Sequence, residues 1–126
     1  MKHYEVIVIG GGPTGATAAH DLAKQGRSVL LLDKRGRIKP CGGAIPPILV
    51  REFDIPDALL EEKVTDARMI SPTGVAVDMS VGGWVGMVDR GEFDEWLRER
   101  AASAGATRIN GKVSNVISRK DHKPIV

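Results

Sequence analysis

Apolar residues follow three different rhythms along the chain. Tyr4 to Ile9 is a short, nearly continuous β-branched run stopped at once by Gly10-Gly11-Gly12, the pattern of a buried strand. Pro13 suits the first turn of a helix, where its missing N–H costs nothing, and Ala16, Ala19, Leu22 and Ala23 then recur at helical spacing until Gly26. Ser28 to Leu32 is a second apolar run, ending at Asp33. Strand, helix and strand within about thirty residues predict a β-α-β unit with parallel strands.

The rhythm changes after Asp33. The stretch "AIPPILVREFDIPDALLEEKV" carries paired prolines and a third at Pro56, which predicts short helical turns in place of one long helix. Thr65 to Ser71 and Val75 to Met79 alternate as two strands around a turn at Ser71-Pro72-Thr73-Gly74, and Trp84 to Val88 reads as a third, together an antiparallel insertion. A second long helix follows. Asp89 serves as its N-cap, Glu92 stands three residues later, Val88 and Phe93 are spaced as a hydrophobic staple, and Gly105 closes it. Its apolar stripe is Phe93, Trp96, Leu97, Ala101 and Ala104. Arg108-Ile109 and Val113 to Ser118 supply a return strand interrupted at Asn110-Gly111. The expected segments are thus a dinucleotide-type β-α-β unit over 1–35, a loop with short helices over 36–64, a β insertion over 65–88, and a helix with its return strand over 89–118.

Composition narrows the class only a little. The chain has 126 residues, about one domain, with 42% apolar and 27% charged residues and a net charge of +2, so nothing points to a nucleic-acid partner. Lys34, Arg35, Arg37 and Lys39 crowd one loop, either as a solvated turn or as an anion site. One cysteine excludes an internal disulfide, and His3, His20 and His122 lack ligand spacing, so no metal site is readable. The apolar run before the first glycines is too short for a signal-peptide core or a bilayer span, which makes the cytoplasm the expected location.

The sharper chemistry lies in the glycines. Gly10-x-Gly12-x-x-Gly15 sits between strand and helix, and Asp33 ends the following strand, as a dinucleotide fingerprint requires. Gly10 permits the tight turn, Gly12 lets the backbone approach a pyrophosphate, and Gly15 lets helix and sheet close together, with the anion facing the helix N-terminus at Pro13 and Thr14. Asp33 offers acceptors to the ribose hydroxyls. Its charge disfavours a 2′-phosphate, an objection that Lys34 and Arg35 soften, and spacing alone leaves FAD and NAD both open. A glycine-rich turn that binds nothing is the plainer alternative.

Three blocks in this order, "VIVIGGGPTGATAA", "VLLLDKRGRIKPCGGAIPP" and "GMVDRGEFDEWLRERAASAGA", resemble the N-terminal part of the geranylgeranyl reductases of chlorophyll and bacteriochlorophyll synthesis, flavoproteins related to the aromatic-ring hydroxylases. The fold this implies is α/β: a Rossmann-like FAD-binding β-α-β unit with a short antiparallel insertion, incomplete relative to the family. The implied enzyme uses FAD and NADPH to reduce three of the four double bonds of a geranylgeranyl group, on the free diphosphate or on a pigment ester, giving phytyl. By position, Gly10, Gly12, Pro13, Thr14 and Gly15 would line the FAD pyrophosphate, and Asp33 with Lys34 the adenosine ribose. Cys41, Gly42 and Ala44 would lie along the flavin, Arg90 would reach the phosphates or ribityl, and Val113 and Ser114 would lie near adenine. The resemblance also implies a lipid substrate and peripheral contact with a photosynthetic membrane.

Plainer readings stand beside these. Arg90 is otherwise a surface residue of a first helical turn, and Trp84 and Trp96 are read as core. Cys41 is otherwise a buried small apolar side chain; as a functional residue it is read as facing the cofactor, since no histidine is close enough in sequence to activate a nucleophile. No proton donor for alkene reduction is identifiable. Members of the family are several times longer, so the chain is expected to be a fragment with little activity of its own. The competing functions are a flavin monooxygenase of the aromatic-hydroxylase type and a non-catalytic nucleotide-binding module.

Overall fold

The computed structural model describes residues 2–34 and 40–116. It divides into two units, Met1–Ile38 with Asp94–Val126, and Lys39–Phe93.

In the first unit, strand β1 (Val6–Ile9) leads through the glycine turn into helix α1 (Pro13–Lys24), which returns to strand β2 (Val29–Asp33). Helix α3 (Arg90–Ser103) enters this unit from the second one and leads to strand β6 (Thr107–Asn110). The sheet order is β1-β2-β6, all parallel, with Ile9 opposite Leu32 and Asp33 opposite Asn110. Both crossovers advance the same way across the sheet, and with the usual right-handed sense that puts both helices on one face. The core agrees: Ala19 and Ala23 of α1, Val29 and Leu31 of β2, Ala101 of α3 and Ala106 form one buried cluster, with Val6 and Val8 packed against it. Val29 and Leu31 are wholly enclosed, each contributing roughly 1.5–3 kcal/mol of burial. Alanines at the helix contacts let the helix backbones come close to the sheet.

One expectation fails in β1. The continuous apolar run predicts burial on both faces, yet Ile7 and Ile9 are 54% and 59% exposed. Among the described residues the helices of this unit pack on the face of Val6 and Val8, which leaves alternate positions of the strand open. Both helices end as their glycines suggest. The Arg27 amide donates to the Leu22 carbonyl beyond Gly26, and the Ala106 amide to the Ala101 carbonyl beyond Gly105.

The second unit is an antiparallel sheet of order β3-β5-β4 with two short helical turns. Strand β3 (Ala44–Ile45) lies inside the block read as a loop, pairing Ala44 with Met87. Helix α2 (Pro47–Glu52) and a 3₁₀ turn (Asp57–Leu59) replace one long helix, as the prolines dictate. Strand β4 (Glu62–Ile70) starts three residues before the expected Thr65, and the turn at Ser71–Gly74 is closed by the Ser71 amide donating to the Val75 carbonyl.

The expected second and third strands of the insertion are one, β5 (Ala76–Met87). Val64 pairs with Val85 but Asp66 with Ser80, so the four residues 81–84 stand opposite Thr65 alone. Gly82 and Gly83, at φ 69° and 150°, take up the excess, and pairing resumes on either side. Two glycines that look like a strand break are a bulge. Residues 113–116, the expected start of the second half of the return strand, are not in a strand, and Ile117 and Ser118 lie outside the described residues.

Candidate functional site

The site of the first unit is assembled at the C-terminal ends of β1 and β2, where ligands sit in open parallel sheets. The Gly10 amide donates to the Leu32 carbonyl at 2.7 Å, holding the turn to the neighbouring strand. Gly15 is packed against the Gly10 carbonyl so closely that a Cβ there would overlap it. Gly10 and Gly12 differ, since a Cβ on either would meet nothing within 4 Å. Gly15 is therefore required by that contact and Gly10 by its φ of 107°, while Gly12, at an ordinary φ of −72°, lines open space.

Helix α1 begins with Pro13 at its first position, no side chain caps it and its first turn holds no acid. Helical geometry leaves its first N–H groups without intrahelical partners, an arrangement suited to an anion. Thr14 is exposed beside them. Gly10, Gly12, Pro13, Thr14 and Gly15 thus share one turn, as the spacing predicts. Asp33 joins them: its Oδ1 accepts from the Gly11 amide at 3.0 Å. Lys34 follows, exposed. The Gly111 amide donates to the Asp33 carbonyl at 2.8 Å, which brings the segment carrying Val113 and Ser114 to the end of β2; Ser114 is exposed. Arg35, Arg37 and Lys39 of the basic loop, and His122, lie outside the described residues.

Three charged residues that the motif does not include complete this site. Arg98 of α3 donates through Nη1 to the Gly11 carbonyl at 3.0 Å and to Asp33 Oδ2 at 3.3 Å. Its Nε and Nη2 both reach Glu95 Oε2, at 3.0 and 2.9 Å. Arg108 of β6 grips Glu95 from the other side, Nη1 to Oε1 at 2.6 Å and Nη2 to Oε2 at 2.8 Å. The Arg108 fork first, and Arg98 with it, hold the Glu95 carboxyl down at about 2, while Glu95 raises Arg108 above its ordinary value. Gly11, the middle residue of the triple glycine, is the contact point: a Cβ there would come within 2.9 Å of Asp33 and Arg98. The Glu95-to-Arg98 step of three residues on a helix is the one part of this network that sequence spacing suggests.

In the second unit, Cys41 and Gly42 are exposed, which overturns the burial of Cys41 as a small apolar residue. Gly43, the neighbour of Gly42, is the constrained residue. It is buried at φ 70°, its carbonyl accepts from the Val88 amide at 3.0 Å, and a Cβ would run into the Val88 carbonyl. This joins the Cys41–Ala44 block to the end of β5, two residues before Arg90 at the start of α3. Asp89 caps that helix as expected, Oδ1 accepting from the Gly91 and Glu92 amides at 2.7 and 3.1 Å. Trp84 and Trp96 are half-buried instead of core, with Lys63 Nζ 4.9 Å from one ring centroid and Arg100 Cζ 5.6 Å from the other. Among the described residues no cluster of three or more His, Cys, Asp or Glu could hold a metal, and no helix is long and apolar enough to cross a membrane.

Residues 8–52 match the family described as NAD(P)-binding Rossmann-like domain, the span that holds the glycine turn, α1 and Asp33. A geranylgeranyl diphosphate reductase of Rhodobacter capsulatus is 64% identical over 109 residues, which cover 86% of this chain and 28% of the relative. The chain is homologous to the N-terminal part of the geranylgeranyl reductases. A second reductase, the chloroplastic geranylgeranyl diphosphate reductase of Nicotiana tabacum, is 46% identical over 115 residues, 87% of this chain and 25% of the relative. A solved geranylgeranyl bacteriochlorophyll reductase-like protein of Thermoplasma acidophilum superposes with a TM-score of 0.70 at 31% identity, over 83% of this chain and 29% of that one. The chain thus spans between a quarter and a third of the length of these reductase relatives. The residues at the turn fit what a dinucleotide needs there: open backbone at Gly10 and Gly12, an uncapped helix start, and a carboxylate held at the strand end.

Proposed function

We propose that this chain is the dinucleotide-binding portion of an FAD-dependent oxidoreductase that reduces a geranylgeranyl group to phytyl, with NADPH as the electron donor. The observation that carries the reading is the 64% identity to a geranylgeranyl diphosphate reductase over 109 residues. The glycine turn supports it as a place where backbone approaches a diphosphate without side-chain obstruction.

In this reading, the backbone of Gly10, Gly12, Pro13, Thr14 and Gly15 receives the FAD pyrophosphate and Asp33 accepts from the ribose hydroxyls, with Lys34 beside it. Ser114 lies toward adenine. Cys41, Gly42 and Ala44 serve the flavin side, and Arg90 supplies a guanidinium to the phosphates or ribityl. Bound FAD supplies the hydride transfer; the chain's own residues bind and orient it. The substrate is a long isoprenoid on a diphosphate or pigment ester, and its lipid character brings the enzyme to a membrane surface.

The test is chemical. The complete reading frame containing this chain is purified, its flavin absorbance recorded, and geranylgeranyl diphosphate incubated with it and NADPH. Mass spectrometry is expected to show successive additions of two hydrogens up to the phytyl product. A product that has gained oxygen, or protein with no flavin and no NADPH oxidation, overturns the reading.

A further inference from the structure

Arg98 stands outside the fingerprint, yet it touches both residues that shape the mouth of the turn. The carboxylate of Asp33 has about four acceptor positions on its two oxygens. Among the described residues of the first unit one is taken on Oδ1 by the Gly11 amide and one on Oδ2 by Arg98 Nη1. The two that remain match in number the vicinal hydroxyls of a ribose, both of which are donors.

The same Arg98 nitrogen donates to the Gly11 carbonyl, so one guanidinium bridges the two ends of the Gly11–Asp33 contact. Its other edge is fastened to Glu95, and Glu95 is fastened by the Arg108 fork from β6. The Arg98 side chain is 16% exposed and that of Asp33 22%. An aspartate at a strand end with no such grip would have to lose rotamer freedom each time a ligand bound; here it is fixed beforehand. The positive charge also offsets a carboxylate that stands beside a turn suited to a diphosphate, where an unpaired acid would repel the ligand.

We propose that Arg98 is a positioning residue for nucleotide binding, fixing Asp33 so that its two remaining acceptor positions are presented to the ribose hydroxyls of an adenosine diphosphate moiety. The proposal rests on the dinucleotide reading above and adds to it a residue that reads nothing itself but sets what Asp33 reads. Its ligand class is an adenine dinucleotide or nucleoside diphosphate with both hydroxyls free.

The experiment compares calorimetric affinities of the complete protein containing this chain, freed of bound flavin, for ADP and for 2′,3′-dideoxy-ADP. Wild type is expected to prefer ADP by about tenfold, as for hydrogen bonds to a charged group. Arg98→Met is expected to bring that ratio below about threefold while the dideoxy affinity changes little, and Arg98→Lys to fall between. A merely structural role for Arg98 would weaken both ligands alike, and that result overturns the proposal, as does an unchanged ratio. Should Arg98→Met fail to fold, Glu95→Ala, which removes the oxygen that accepts from Arg98 Nε and Nη2 and so frees one edge of the fork, carries the same test with the same two outcomes. Wild type binding neither ligand overturns the nucleotide reading together with the proposal, whereas wild type binding both equally overturns the proposal alone.

Discussion

Gly15 and the Gly10 carbonyl are in contact at backbone level, with no room between them for a single methyl group. Gly12, three residues earlier, has open space where its Cβ would be and an ordinary φ of −72°. The two substitutions therefore separate folding from binding. Gly15→Ala is expected to cost about 2 kcal/mol or more, because the carbonyl it meets belongs to Gly10, whose amide is tied to the Leu32 carbonyl of β2. Gly12→Ala is expected to leave stability within about 0.5 kcal/mol and to weaken FAD or ADP binding by about tenfold or more. Urea midpoints and ligand titrations on the two variants check both halves.

Glu95 gives the first unit a pH signature. Its carboxyl is lowered from 4.5 to about 2 in the folded chain, so its stabilising contribution is whole above about 4.5, fades as pH falls and is gone below about 2. Wild type should exceed Glu95→Gln in urea midpoint at pH 7, and the gap should close as pH falls through that window. A gap that does not change between pH 6 and pH 2.5 would show that the arginines do not hold the Glu95 carboxyl below its ordinary range.

Asp89 is expected to contribute as an N-cap. Asp89→Ala removes the acceptor of two amides and should lower stability by about 1 kcal/mol, while Asp89→Asn keeps an acceptor and most of the stability. Thermal denaturation of the three proteins decides it.

Asp54 adopts φ 49° just beyond helix α2, where the Ile55 amide donates back to the Val50 carbonyl. A glycine takes this backbone without the Cβ penalty. Asp54→Gly is expected to raise stability by roughly 0.5 kcal/mol, read as a higher urea midpoint; a lower midpoint would mean that the aspartate side chain repays the strain.

The fold was legible wherever its cause is local. Gly10, Gly12, Gly15 and Asp33 have fixed spacing because one strand, one turn and one helix separate them, and Asp89 caps residues two and three positions away. What was not legible depends on non-local placement. Arg98 and Asp33 are 65 residues apart and meet only because β6 lies beside β2, which brings α3 over the strand end. Gly42 and Gly43 are identical in sequence, and only the Val88 carbonyl decides which of them must be glycine. The apolar run of β1 says that its side chains prefer burial, and it cannot say that both helices of this unit pack on one face.

The bulge of β5 has a consequence for how this fold varies. Residues 81–84 stand outside the ladder: the pairs Val64–Val85 and Asp66–Ser80 hold it on either side, Trp84 is half-buried beside Lys63, and before it two glycines carry the turn of the chain. Elsewhere in the ribbon a residue gained or lost would flip every following side chain to the opposite face. At Val81, Gly82 and Gly83 the same change is expected to be absorbed before pairing resumes, which would keep the Gly43–Val88 junction at the far end of the second unit in register.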